Sequence, residues 1–155
     1  MTVTSKLNVK FELDNGATAY RIGPIVLDTD ETSEHDFSSM QPEDGKFAFY
    51  TSRVKTVNPV TIDNLRTHGP QLSKAAALLL PDVQLDVIAY NCTSGTIAMG
   101  YEEVERQINK GRKNVPVVTP ITAAIAAFNI LAIKSISLLT PCIENVLLQQ
   151  IRKRL

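Results

Sequence analysis

The stretch Tyr90-Asn91-Cys92-Thr93-Ser94-Gly95 holds the residues best suited to covalent chemistry. It follows Asp86-Val87-Ile88-Ala89, and an apolar run broken by small polar residues and glycine reads as a buried strand ending in a turn, with a helix soon after. Cys92 is thereby expected at a strand's carboxyl end, where open α/β sheets bind ligands and helix amino termini present unpaired N–H groups. Two readings of the thiol are open. Free cysteine commonly packs as a small buried hydrophobe. Alternatively, Thr93, Ser94, Gly95 and Thr96 surround it with hydroxyls and amides that suit an anion and favour a thiolate. The natural guest of such a site is a carboxylate.

A second candidate is Ile25-Val26-Leu27-Asp28-Thr29-Asp30-Glu31-Thr32, a strand followed by Asp-x-Asp-x-Thr. It resembles the first motif of magnesium-dependent haloacid dehalogenase-like phosphatases, in which Asp28 would be the nucleophile and Asp30 the acid/base beside a metal. That mechanism also needs an acidic pair at a later strand end, and Leu138-Leu139-Thr140-Pro141 offers none. An acidic turn capping the next helix is the favoured reading. His35 and His68 are too far apart for a ligand spacing and are read as surface or helix-end residues, so no metal site is expected. Cys142, just beyond a predicted fifth strand, is read either as a neighbour of the same crevice or as a packed thiol.

These residues need a scaffold of alternating strands and helices. Residues 1–19 read as a loose arm, and Tyr20 to Leu27 as a first strand, with Pro24 better suited to a strand start or edge. Lys46 to Val54, rich in aromatic and β-branched residues, reads as the second strand. Thr61 to Leu80 reads as a helix capped by Thr61, kinked or split at Gly69-Pro70 and stopped by Pro81. Leu85 to Tyr90 is the third strand, and Tyr101 to Lys110 a helix with acidic residues in its first turn. Val115 to Val118, Pro120 to Ala132, Ser135 to Leu139 and Glu144 to Lys153 then read as strand, helix, strand and helix. The alternation implies parallel βαβ units, hence a three-layer αβα fold around a parallel sheet.

Composition narrows the function. With 155 residues, 44% of them hydrophobic, the chain can bury one respectable core. Its 16 basic and 16 acidic residues cancel, which argues against nucleic acid or an anionic membrane as partner. The uncharged run Val115 to Ile133 is nearly long enough to span a bilayer, but two prolines and several polar residues break it. Thr119-Pro120 reads instead as a helix N-cap followed by proline at the first helical position. Two cysteines and no apolar leader point to the cytoplasm, with both thiols reduced.

Four motifs, in order, carry a resemblance: Arg21 to Phe37, Tyr90 to Gly95, Pro116 to Ala123 and Ile136 to Pro141. Together they resemble the Asp/Glu racemase superfamily, in the branch of maleate cis-trans isomerases, arylmalonate decarboxylases and ectoine-utilisation racemase-type proteins. The resemblance implies two flavodoxin-like α/β halves facing each other, a small carboxylate between them, a cysteine from each half and no cofactor. Cys92 matches the first-half cysteine, while Thr93 and Ser94 match the binders of the substrate carboxylate. Asp30 stands where the isomerases carry asparagine, Thr32 keeps the hydroxyl that follows, and Cys142 stands where a substrate-binding tyrosine is usual. On this pattern residues 20–114 form the first half, and residues 115–155 only the opening βαβα of a second. The implied function is a cofactor-independent cysteine isomerase or racemase. The alternative is a truncated, non-catalytic carboxylate-binding or assembly protein, whose exposed apolar surface favours homo-oligomers.

Overall fold

The computed structural model describes residues 10–12, 20–43, 45–137 and 139. Five parallel strands form one sheet: β1 (Tyr20–Leu27), β2 (Phe47–Phe49), β3 (Ser52–Val54), β4 (Val87–Tyr90) and β5 (Val117–Val118). The strand order is β2-β1-β4-β5, with β3 alongside the second half of β1. The helices are α1 (Ser33–Ser39), α2 (Ile62–Arg66), α3 (His68–Ala77), α4 (Thr93–Met99), α5 (Tyr101–Gly111) and α6 (Pro120–Ile130). The expected α/β alternation and parallel sheet are present.

The strand β1 lies inside the sheet, paired with β2, β3 and β4. Successive strand residues point to opposite faces, and Ile25 and Val26 are both 0% exposed, so helices or loops cover both faces. On one side α3 packs on β1 and β3 and lies along α5, while α1 stacks Phe37 on Phe49 of β2 at 5.2 Å. Leu72, Leu79, Leu85, Ile88, Tyr90, Val104 and Ile108 fill the core.

Pro24 sits in the middle of this central strand, paired with Ala89, rather than at a start or edge. The ladder explains why. Tyr20 N–H bonds the Lys46 carbonyl, Tyr50 N–H the Ile22 carbonyl and Asp28 N–H the Val54 carbonyl, so even-numbered residues face the β2–β3 side. Pro24's missing donor therefore points at residues 50–51, where the predicted second strand is interrupted between β2 and β3. One feature accounts for the other.

The long predicted helix is two, divided at Thr67, two residues before Gly69-Pro70, with Thr61 accepting from Asn64 N–H as N-cap. Thr119 caps α6 as expected, in a capping box with Thr122. β5 continues the sheet next to β4, Ile88 pairing with Val117. Residues 135–137 and 139 are not in a strand, contrary to expectation, and Ile136 and Leu139 are exposed. An apolar segment becomes a strand only where an edge pairs with it. Cys142 and the predicted closing helix lie outside the described residues. Among the described residues no helix is long and apolar enough to cross a membrane.

Two glycines of the α3 region respond to a methyl group in opposite ways. A Cβ at Gly111 would collide with the Ser73 carbonyl, backbone that cannot yield. At Gly69 it would meet Met99 Sδ at 3.6 Å, an ordinary contact. Gly111→Ala is expected to destabilise the fold by about 1–3 kcal/mol and Gly69→Ala to stabilise it by about 0.5 kcal/mol, read from urea denaturation midpoints.

Candidate active site

The pairing of β1 with β4 extends one residue past Tyr90, because Asn91 N–H bonds the Ile25 carbonyl at 2.8 Å. The chain then turns directly into α4, with Cys92 as N-cap. Its carbonyl accepts from Thr96 N–H at 3.0 Å and from Thr96 Oγ1 at 2.8 Å. Its sulfur accepts from Gly95 N–H at 3.3 Å and lies 3.7 Å from Ser94 Oγ. First-turn amides of a helix have no intrahelical acceptor, so this sulfur occupies the place of a capping oxygen. Cys92 is 5% exposed and touches the core, as a packed thiol does. Thr93 beside it is exposed and Ser94 half-buried.

The loop after β1 is tied to the same place. Asn91 Nδ2 donates to Ser33 Oγ at 2.6 Å, and Ser33 Oγ donates to Asp30 Oδ2 at 2.6 Å. Asp30 Oδ1 accepts from the backbone N–H groups of Thr32 and Ser33 at 3.0 and 2.9 Å. The carboxylate thus closes the turn ahead of α1, the structural role favoured from sequence. Burial alone would raise its pKa, but the Ser33 hydroxyl, the two backbone N–H groups and Arg53 outweigh this and lower it. Thr32 lies exposed at the start of α1.

Asp28 turns elsewhere, accepting from Thr56 N–H at 2.8 Å, and this bond chiefly lowers its pKa. The two aspartates therefore serve separate turns. Among the described residues no three His, Cys, Asp or Glu side chains gather as a metal site. Cys142 lies outside the described residues, so the structure brings together Cys92, Thr93 and Ser94 on one loop and Asp30 and Thr32 on its neighbour.

Several residues of this corner escaped the sequence reading. Arg53 donates to the Leu27 and Asp30 carbonyls at 2.9 and 2.8 Å and pairs with Glu34 at 2.6 Å, clamping the loop after β1. Tyr90 and His68 are the others. Tyr90 is 0% exposed and His68 1% exposed, and their hydroxyl and Nδ1 are 2.7 Å apart. His68 stands at the first residue of α3, the helix-end position expected, but it is a core residue rather than a surface one. The signal was its spacing: Leu65, His68, Leu72 and Ala75 recur every three or four residues along one helical stripe.

Comparison with known proteins bears on this geometry. No protein-family model matches the chain. A maleate isomerase of Pseudomonas putida is 27% identical over 136 residues, covering 79% of this chain and 53% of that protein. One from Alcaligenes faecalis is 27% identical over 138 residues, with the same coverage. The crystal structure of a maleate isomerase from Pseudomonas putida matches at a TM-score of 0.69 and 25% identity, over 86% of this chain and 59% of that one. The chain resembles the maleate isomerases in sequence and in fold. Its parallel sheet with flanking helices is the α/β fold it shares with that crystal structure, and it spans a little over half the length of the relatives it matches.

The Asp30 turn gives a pH test. A carboxylate whose folded pKa lies below its unfolded value of about 3.9 contributes stability above that value and loses it as pH falls through the folded pKa. Asp30→Asn is therefore expected to lower the urea midpoint at pH 6, with a difference from wild type that shrinks towards pH 2.5. A constant difference would show that the charge is not what the turn uses.

Proposed function

We propose that this chain supplies the nucleophilic half of a cofactor-independent cysteine isomerase acting on a small dicarboxylate, with maleate as the best candidate substrate. The observation that carries the reading is Cys92 Sγ held at the end of β4 by Gly95 N–H, in a chain that resembles maleate isomerases. Thr93 and Ser94 are the proposed anchors of one carboxylate, through hydroxyls and first-turn amides. Thr32 lies on the neighbouring loop and is a further candidate donor. Asp30 serves the site through the Ser33–Asn91 link, since a carboxylate engaged with its own turn repels substrate less than a free one.

The chemistry balances without a cofactor. The Cys92 thiolate adds to one alkene carbon, forming a C–S bond, and the π pair moves to the adjacent carbon and its carboxylate. The former double bond is now single and rotates. Expulsion of the thiolate re-forms the alkene in the trans geometry, and every atom of the substrate is retained. Racemisation or decarboxylation, which other branches of the superfamily perform, would use the same thiolate on a different acid. The similarity to maleate isomerases favours cis–trans isomerisation over both. A thiolate of this kind needs a reducing compartment, which favours the cytoplasm.

One observation favours a second reading. No residue of α6 is buried, and Ile130 and Leu131 at its far end are 84% and 69% exposed, so this helix leaves an open apolar surface. Under this reading the chain binds carboxylate and self-associates without turning substrate over.

Both readings meet in one assay of maleate isomerisation by the purified chain. The first expects turnover that Cys92→Ser lowers at least about a thousandfold. A variant with wild-type activity would refute the role of Cys92. A wild-type chain that sediments as an oligomer and leaves maleate unchanged would favour the second reading.

A further inference from the structure

Asn91 lies between Tyr90, the last residue of β4, and Cys92, and its half-buried side chain bridges the two loops of the site. The hydrogen-bond inventory of that bridge has one solution. The Asp30 carboxylate has no proton to give: partial burial opposes its charge, but the Ser33 hydroxyl, two backbone N–H groups and Arg53 outweigh this and lower its pKa. The single hydroxyl proton of Ser33 therefore goes to Asp30 Oδ2, at 2.6 Å. Towards Asn91 the Ser33 oxygen can then only accept, so the atom 2.6 Å from it is the amide nitrogen Nδ2. The proton count thus fixes an orientation that the shape of an amide leaves open.

The other arm of the same planar amide, Oδ1, points away from Ser33. It accepts nothing from the described residues. Among those residues Thr56 Oγ1 is the one buried side-chain atom without a partner, so Asn91 Oδ1 is not sealed off. It meets solvent at the carboxyl ends of β1 and β4, where open α/β sheets bind their ligands.

We propose that Asn91 is a specificity-determining residue whose amide, oriented by Asp30 through Ser33, offers a bound acid a hydrogen-bond acceptor. The inference rests on the reading of Thr93 and Ser94 as carboxylate anchors and narrows the substrate class. Two residues of chain span at most about 7 Å, so a four-carbon acid anchored at Thr93 has its other end within reach of Asn91. A second carboxylate there would set oxygen against oxygen with no proton between them. An amide in its place donates an N–H to Asn91 Oδ1. The preferred substrate is thus the monoamide of a cis-butenedioic acid, maleamate, over the diacid. The chemistry is unchanged: the C–S bond forms and breaks at one alkene carbon, the π pair rests meanwhile on the neighbouring carbon and its carbonyl group, and the amide is retained in the trans product. Asp30 sets the polarity because it can only accept. An asparagine at position 30 would keep an oxygen for the Thr32 and Ser33 N–H groups and face the Ser33 hydroxyl with an NH2. The Ser33 proton would then be free for Asn91, whose amide would turn over and show the substrate its own NH2.

The test uses succinate and succinamate, saturated analogues with no double bond to attack, so that binding to the intact chain is read from backbone amide shifts without turnover. The wild-type chain is expected to bind succinamate about tenfold more tightly than succinate, and folded Asp30→Asn to prefer succinate. Ser33→Ala cuts the link and keeps the Asp30 charge, and it is expected to bring the two dissociation constants within about threefold of each other. A nuclear Overhauser contact between the Asn91 side-chain NH2 and Ser33 is expected in the wild-type chain and weaker in Asp30→Asn. Equal binding of the two acids by the wild-type chain, or a preference for succinate, would overturn the role of Asn91 while leaving the carboxylate site standing. A preference for succinamate that survives in Ser33→Ala would overturn it too, because the charge of Asp30 alone would then account for the selectivity. Binding of neither acid would remove the carboxylate site itself, and this inference with it.

Discussion

The corner that holds Cys92 depends on the parallel pairing of β1 with β4. That pairing runs from Ile22 opposite Val87 to Ile25 opposite Tyr90, and the Asn91 N–H extends it to the point where α4 must begin. A strand that ends in register with its neighbour delivers two loops side by side. One carries Asp30, Thr32 and Ser33, and the other Asn91, Cys92, Thr93 and Ser94. The Asp30–Ser33–Asn91 chain then fastens them together. Because strand side chains alternate with a period of two, a one-residue slip would send Tyr90 to the opposite face and take its hydroxyl away from His68. Packing along α3 and α5, with Gly111 allowing close approach, holds the register from below.

What the sequence made legible was local. Strand, polar turn and helix alternate with clear periodicity, and the caps at Thr61 and Thr119 were visible because one hydroxyl and the following residues define them. Cys92 was legible for the same reason, as the residue between an apolar run and a glycine-containing helix start. The features that were missed depend on partners distant in the chain. The break between β2 and β3 and the place of Pro24 depend on each other across the sheet. Asp30 reads as a site residue by position and as a turn residue by its hydrogen bonds, all but one of which are made within the turn. His68 needed its helical stripe to be followed through Thr67, where the helix divides. Ser135 to Leu139 has a strand's composition, but composition supplies no partner.

The exposed face of α6 marks where this layer stops being self-sufficient. An alanine- and isoleucine-rich helix with no buried residue gains little from its own sheet, and its apolar atoms are among the most favourable surface on the molecule to cover. Relatives of which this chain spans a little over half have further chain with which to cover such a surface. The site follows the same division. The Cys92 sulfur, the Thr93 and Ser94 hydroxyls and the two tied loops all lie on this layer.

The central claim is that the start of α4, with Cys92 as its cap, is a carboxylate site. It is tested most directly by following backbone amide resonances while the chain is titrated with millimolar maleate. The account predicts saturable shifts concentrated at Cys92, Thr93, Ser94 and Gly95, with smaller ones at Thr32 and Ser33. Shifts absent from these residues, or gathered instead at Pro81 to Leu85 and Gly111 to Val115, the surface hollow at the opposite ends of β4 and β5, would contradict it.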